Sequence, residues 1–177
     1  MSQEPQQQQI RRTGRAMQIV AWVLGLGLLT LVFQDFLETR LNPNTQPLVR
    51  VDGDGLNEVV LERNVQGHYV ASGAINGLPV TFLLDTGATD VAIPETLAQQ
   101  LQLERRGGGI SQTANGPVAV WHTRLDDVQL GSIRLQNVRA SIVPSMGQGS
   151  PVLLGMSFLK QLEFTQRDGH MTLRQIR

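Results

Sequence analysis

The stretch Phe82-Leu83-Leu84-Asp85-Thr86-Gly87-Ala88-Thr89-Asp90 sets an apolar run directly against a carboxylate, a hydroxyl and a glycine. A short apolar run bounded by turn formers reads as a buried strand, and Asp-Thr-Gly as the turn that ends it. This reading puts the Asp85 carboxylate where water is scarce. Burying an ionised carboxylate costs several kcal/mol unless it is paired or shares a proton. Asp85 therefore needs either a structural partner or a chemical role. A turn in which it accepts backbone N–H bonds, with Thr86 and Gly87 as ordinary turn residues, would supply the first.

Working outward, Asn76-Gly77 joins a strand over Tyr69–Ile75 to one over Leu78–Leu84, a strong two-residue hairpin signal that delivers Asp85. Val59-Val60-Leu61 predicts an earlier strand. On the other side, Pro94 to Leu103 predicts a short helix with proline near its start and Leu97 and Leu101 on one face. Val91, Ile93 and the loop from Met146 to Pro151 are expected as pocket walls. Gly107-Gly108-Gly109 then leads into Ile110–Trp121, which holds a second Asn-Gly at Asn115-Gly116 among small polar residues, a hairpin expected to be mobile. Leu125–Leu130, Ile133–Leu135 and Val138–Val143 read as further antiparallel strands. Val152-Leu153-Leu154-Gly155 follows, then one or two helical turns over Ser157–Leu162 and a closing hairpin around Asp168-Gly169. The pattern predicts an all-β domain over residues 57–177 with short helices. No internal repeat is visible, so Asp-Thr-Gly occurs once.

The N-terminal third differs in kind. Residues 1–15 are Gln-rich and polar, a disordered tail by composition. From Met17 to Phe33 every residue except Gln18 and Thr30 is apolar or glycine. That length is at the short end of the ~17–25 residues that cross a bilayer, and residues 16–34 are read as one transmembrane helix. Arg11, Arg12 and Arg15 precede it, while Asp35, Glu38 and only Arg40 follow, which predicts a cytoplasmic N-terminus and a domain on the far side of the membrane. In a Gram-negative cell that side is the periplasm, across the inner membrane. A cleaved signal peptide would want small residues after the apolar core, where Leu31-Val32-Phe33-Gln34-Asp35 are bulky. A buried core helix would want a polar face. Residues 35–56, with Pro43, Pro47, Gly53 and Gly55 in no sustained period, read as a linker. Asp52-Gly53-Asp54-Gly55 is not a calcium loop, because Leu56 stands where a ligand is needed.

Composition excludes several classes. Lys+Arg and Asp+Glu balance at 15 each, so nothing points to nucleic acid. There is no cysteine, hence no disulfide, thiolate metal site or thiol nucleophile. His68, His122 and His170 lack metal-binding spacing, and no cofactor is expected. Trp121 and His122 are read as packing and surface residues.

Taken together, Leu84-Asp85-Thr86-Gly87-Ala88 after an apolar strand, the glycine-bearing hairpin at Asn115-Gly116 and the downstream Val152-Leu153-Leu154-Gly155 resemble the retropepsin-like aspartic proteases, in particular the small bacterial membrane-anchored type. The resemblance covers about Glu58 to Arg177. It implies a closed-barrel subunit with a flap hairpin, and a homodimer in which Asp85 of each copy meets at a two-fold axis. It implies further that Thr86 bonds across the dimer and that Gly87 lets the backbone pass close to substrate. Leu154 and Gly155 would brace the loop. Ser111 to Val118 would be the flap, and Ala88, Asp90, Thr113, Ala114, Asn115 and Gly116 would line the peptide. Asp90 also reads as a structural residue paired with an arginine. A non-catalytic peptide-binding or assembly module of the same fold, or a scaffold whose acid pair is only a dimer contact, are the alternatives to an endopeptidase.

Overall fold

The computed structural model describes residues 4–51, 55–113 and 116–175. The chain divides into two compact units, Met1–Thr39 and Arg40–Arg177. The first is helical: α1 spans Glu4–Leu41, and its segment Met17–Leu41, with mean hydropathy 1.9, is long and apolar enough to cross a membrane. The helix is longer than the sequence predicts at both ends. It takes in residues 4–15, read as a tail, and 35–41, read as linker, because Gln34, Phe36, Leu37 and Glu38 carry no helix breaker and the next proline comes only at Pro43.

The second unit is mostly β. Strands β1 (Leu48–Val51) and β2 (Asn57–Glu62) pair antiparallel, and β2 pairs with the C-terminal hairpin of β10 (Leu162–Arg167) and β11 (His170–Gln175) in a four-stranded sheet ordered β1-β2-β11-β10. The larger sheet contains β3 (Val70–Ile75), β4 (Leu78–Leu84), β5 (Val91–Pro94), β6 (Gly108–Thr113), β7 (Gly116–Leu130), β8 (Ile133–Val143) and β9 (Val152–Leu154). Its order is β3-β4-β9-β5-β8-β7-β6. Two short helices, α2 (Glu95–Gln100) and α3 (Met156–Leu159), complete it. The core is built from both sheets and α3, with Leu61, Ile75, Phe82, Leu125, Ile142, Leu154, Phe158 and Leu173 fully enclosed.

Local chemistry accounts for the turns. Asn76 and Gly77 both have positive φ, 49° and 80°, as do Asp168 and Gly169 at 51° and 78°, the backbone twist that matches antiparallel strands. The sheet curls back on itself where β3 meets β7 through Ala74↔Gln129 and Ile75↔Val128, and the Asn76 side chain extends the seam by accepting the Asp127 N–H at 3.0 Å. The sheet is thus joined to itself along one short seam of two residue pairs, short of the fully closed barrel expected. Gly73 makes the approach feasible, since a Cβ there would lie 2.3 Å from the Gln129 carbonyl and 2.6 Å from the Phe82 ring.

Two expectations are corrected here. Val91 and Ile93 are not pocket walls: both are fully buried in β5, a strand that no local pattern in the sequence predicts. The separate strands expected over 116–143 are two long ones, β7 and β8, while residues 110–113 lie in β6, which pairs with β7 as a hairpin. In β7 the buried residues alternate in period two but lose phase twice, between Val120 and Thr123 and between Leu125 and Val128, and in β8 they lose it between Leu135 and Val138 before burial becomes continuous from Ala140 to Val143. Asn137, at φ 55°, sits at the slip in β8.

The segment read as linker also holds β1 and a buried asparagine. Asn44 Nδ2 donates to the carbonyls of Glu62 (2.8 Å) and Val70 (2.7 Å), and its Oδ1 accepts the Glu62 N–H at 2.7 Å. Its backbone carbonyl takes the Ser72 N–H at 3.0 Å. One side chain therefore clasps β2 to β3. Asn44 is itself buried, and replacing it, as in Asn44→Ala, takes the partners from the Glu62 and Val70 backbone groups that face it, a loss of ~1–3 kcal/mol for each group left unsatisfied. The variant is expected to unfold at a clearly lower denaturant midpoint with an unchanged slope.

Candidate active site

The Asp85 loop is positioned by parallel pairing that no local pattern announces. Strand β4 lies parallel to β9 with Leu84 opposite Leu154, and β9 touches β5 through Ala92↔Leu153. The chain thus leaves the sheet at Leu84 and re-enters at Val91 on the other side of the same short strand. Between these points, Asp85 N–H donates to the Leu154 carbonyl at 3.2 Å, and Ala88 N–H closes a turn onto the Asp85 carbonyl at 3.2 Å. Gly87 N–H donates to Asp85 Oδ1 at 2.8 Å. The carboxylate is accordingly aimed by the backbone of its own turn. Asp85 is half-buried, while Thr86 and Gly87 are exposed. In a single chain the acid is therefore less enclosed than the apolar run before it suggests, because the turn lifts it past the end of β4.

Behind the loop stands Gly155, buried. A Cβ at this position would lie 2.3 Å from the Asp90 carbonyl oxygen and 2.6 Å from that of Ala88. Helix α3 starts immediately after it. The first N–H groups of a helix have no partner within it, and here Met156 N–H donates to the Ala88 carbonyl (2.8 Å) and Ser157 N–H to that of Thr89 (2.9 Å). Leu154 and Gly155 thus contact the loop directly.

Asp90 has an arginine neighbour, Arg139 of β8, whose Nη2 lies 3.2 Å from Oδ1. The contact is an ion pair without hydrogen-bond alignment, since that buried oxygen accepts no hydrogen bond. Arg139 carries no signal in the sequence, because only the parallel β5–β8 ladder, with Val91 opposite Ala140, brings it alongside. Asp85, Thr86, Gly87, Ala88 and Asp90 are gathered in one loop against Leu154 and Gly155.

Thr113 and Gly116 lie on a separate element, the β6–β7 hairpin, where they pair with each other and Thr113 Oγ1 donates to the Gly116 carbonyl at 2.8 Å. Ala114 and Asn115, expected at its tip, lie outside the described residues. Ile110, 75% exposed, projects from β6. The hairpin's stem is dressed by larger groups. Arg105 stacks 5.4 Å over the Trp121 ring and forms an ion pair with Glu95 of α2. Gly109 leaves room for His122, since a Cβ there would come within 2.7 Å of His122 Nε2.

A family model described as "gag-polyprotein putative aspartyl protease" matches residues 71–161, from β3 through α3, and so takes in the whole Asp85 loop and its bracing. The chain belongs to this aspartyl protease family. Its fold is retropepsin-like: the crystal structure of a retropepsin-like aspartic protease from Rickettsia conorii matches with a TM-score of 0.55 at 22% identity, covering 73% of this chain and 95% of that one. By sequence, the chain is 32% identical over 118 residues to an uncharacterized protein in the cobV 5′ region of a Sinorhizobium species, covering 65% of this chain and 50% of the relative. It is 27% identical over 111 residues to an uncharacterized protein of Rickettsia prowazekii (strain Madrid E), covering 61% and 47%. The chain spans about half the length of these curated relatives.

Because the obstacles to a side chain at Gly155 are backbone atoms, Gly155→Ala has to push the Asp85 loop outward. Overpacking of this kind costs ~1–3 kcal/mol. A thermal melt should show the loss, whereas Gly147→Ala, on an exposed loop with only the Ser150 hydroxyl nearby, should melt like the parent.

Proposed function

We propose that the chain is a membrane-anchored aspartic endopeptidase that works as a homodimer. The observation that carries this reading is Asp85 itself, a half-exposed carboxylate aligned by Gly87 N–H at the end of a braced loop. Amide hydrolysis without metal or covalent intermediate needs one group to take a proton from water and another to give one to the carbonyl oxygen. Two carboxylates sharing one proton do both, since like charges in close contact cannot both ionise, as in aspartic proteases generally. The chain carries one Asp-Thr-Gly, and Asp90, the next acid along, is already paired with Arg139. The second carboxylate is therefore assigned to Asp85 of another copy.

In this arrangement Thr86, exposed at the loop's crest, bonds across the two-fold axis, and Gly87 and Ala88 border the substrate backbone. Asp90 contributes its remaining carboxylate oxygen to the substrate channel. The β6–β7 hairpin, with Thr113, Ala114, Asn115 and Gly116 at its end, closes over an extended peptide and excludes bulk water. Helix α1 retains the enzyme in the inner membrane with its domain on the periplasmic or extracytoplasmic side. Confinement in the bilayer raises the effective concentration of a weakly associating subunit, so dimerisation follows surface density. The alternative, a non-catalytic peptide-binding or assembly module, shares every feature except turnover.

The deciding experiment compares full-length wild type and Asp85→Asn in detergent against a fluorogenic peptide mixture from acidic to neutral pH. The substitution removes the ionisable carboxyl group while preserving shape, and the cleavage rate should fall by at least ~10²–10⁴-fold with far-UV circular dichroism and dimer fraction intact. Undiminished cleavage by Asp85→Asn, or an inert wild type at concentrations where it is dimeric, would sink the enzyme reading. In liposomes, activity per subunit should rise with the protein-to-lipid ratio. A rate per subunit indifferent to that ratio would remove the proposed control by dimerisation.

A further inference from the structure

The loop that presents Asp85 has a second fastening, at its far end. Ser157 is 4% exposed, and its hydroxyl stands between two backbone groups from different elements. Oγ accepts the Val91 N–H at 3.0 Å and donates to the Arg139 carbonyl at 2.7 Å. Val91 and Ala140 form the first pair of the parallel β5–β8 ladder. The hydroxyl therefore sits where the loop ends and that ladder begins. The same Arg139 sends its guanidinium to Asp90, one residue before Val91. Asp90, Arg139, Ser157 and Val91 thus form a closed circuit, joined by an ion pair, two hydrogen bonds and one peptide link.

Only a group that both donates and accepts can occupy this position. The Ser157 backbone also serves the loop and its bracing helix. Its N–H goes to the Thr89 carbonyl, while its carbonyl is held by Gln161 Nε2 at 2.9 Å. At the near end the loop is fixed by Asp85 N–H on Leu154. Loss of the Ser157 hydroxyl would leave the near end attached and loosen the far end, which would keep only the Ser157 N–H bond to Thr89, the Asp90–Arg139 pair and the β5–β8 ladder.

We propose that Ser157 is a positioning residue for Asp85: its hydroxyl sets the depth and direction at which the loop offers the carboxylate to its counterpart in the second subunit. The inference rests on the dimeric protease reading above. Its signature lies in the pH profile. Two carboxylates sharing a proton titrate as a pair, and their apparent pKa values move apart as the coupling between them strengthens. Drawing one carboxylate away weakens the coupling, so the two values approach each other and the bell-shaped rate profile narrows from both flanks. A residue that served stability alone would lower the folded fraction and leave the width of the bell unchanged.

The test uses full-length protein in detergent and a fluorogenic peptide mixture that the wild type cleaves, with each variant assayed below its melting temperature. Ser157→Ala is expected to lower kcat by about 10- to 100-fold, the cost of ~1 Å misplacement, with little change in KM and a narrower bell. Ser157→Thr retains the hydroxyl and should recover most of kcat and the full width. Amide hydrogen exchange at Gly87 and Ala88 provides a readout that needs no turnover: it should quicken in Ser157→Ala and return toward wild type in Ser157→Thr. Wild-type kcat and bell width in Ser157→Ala, or unchanged exchange at both amides, would overturn the inference. If wild type and Asp85→Asn are equally inert, the protease reading falls instead, and the exchange data still decide whether Ser157 holds the loop.

Discussion

The close approach of the Asp85–Asp90 loop to Gly155 is the constraint on which the rest of the arrangement depends. Two carbonyl oxygens, those of Ala88 and Asp90, occupy the volume a methyl group would need. That proximity lets the unpaired amides of Met156 and Ser157 serve the loop instead of the helix they begin. A four-residue helix is too short to be stable by itself, and a six-residue loop has little hydrophobic content to hold it. Each satisfies the other's backbone. The parallel β4–β9 pair then ties both to the centre of the sheet through Leu84 and Leu154, of which Leu154 is fully enclosed.

Much of this is legible in the sequence wherever structure is encoded by near neighbours. Asn76-Gly77 and Asp168-Gly169 demand positive φ at two successive residues, and both form the turns that chemistry specifies. The apolar strands ending in Asp85 and in Gly155 can be read for the same reason. What cannot be read is long-range. The strand Val91–Pro94 is four residues with no alternation, and its identity depends on β8 and β9 lying on either side. Arg139 and the Ser157 hydroxyl reach the loop only through that pairing. The long strands β7 and β8 look broken in the sequence near His122–Arg124 and Gln136–Asn137 because the buried face changes side between Val120 and Thr123 and between Leu135 and Val138, and a period-two pattern cannot be followed through a change of phase.

Burial at Asp85 departs from expectation for a related reason. An apolar run announces that its strand is enclosed, but it is silent about the residue just past the strand's end. The turn places Asp85 half in solvent, with Thr86 and Gly87 further out. Family membership and fold agree with the motif that carries the resemblance. The Asp90–Arg139 pair and the bracing around α3, by contrast, come from the three-dimensional neighbourhood.

Asn44 bears on a different matter, how the domain could be shed from its helix. A stretch rich in asparagine and proline after an apolar helix invites the assumption of slack that a protease could cut freely. Here that stretch is part of the sheet's wiring, with one amide side chain completing the backbone bonding of Glu62 and Val70. A cut on the C-terminal side of Asn44 would strip those groups of their partners and release a damaged domain. Shedding of an intact one requires a cut before Leu41, because the Asn42 side chain caps the Asn44 amide and the Leu41 carbonyl accepts the buried Asn64 side-chain N–H at 2.9 Å, and so the cut has to fall within the helix rather than in the irregular chain beyond it.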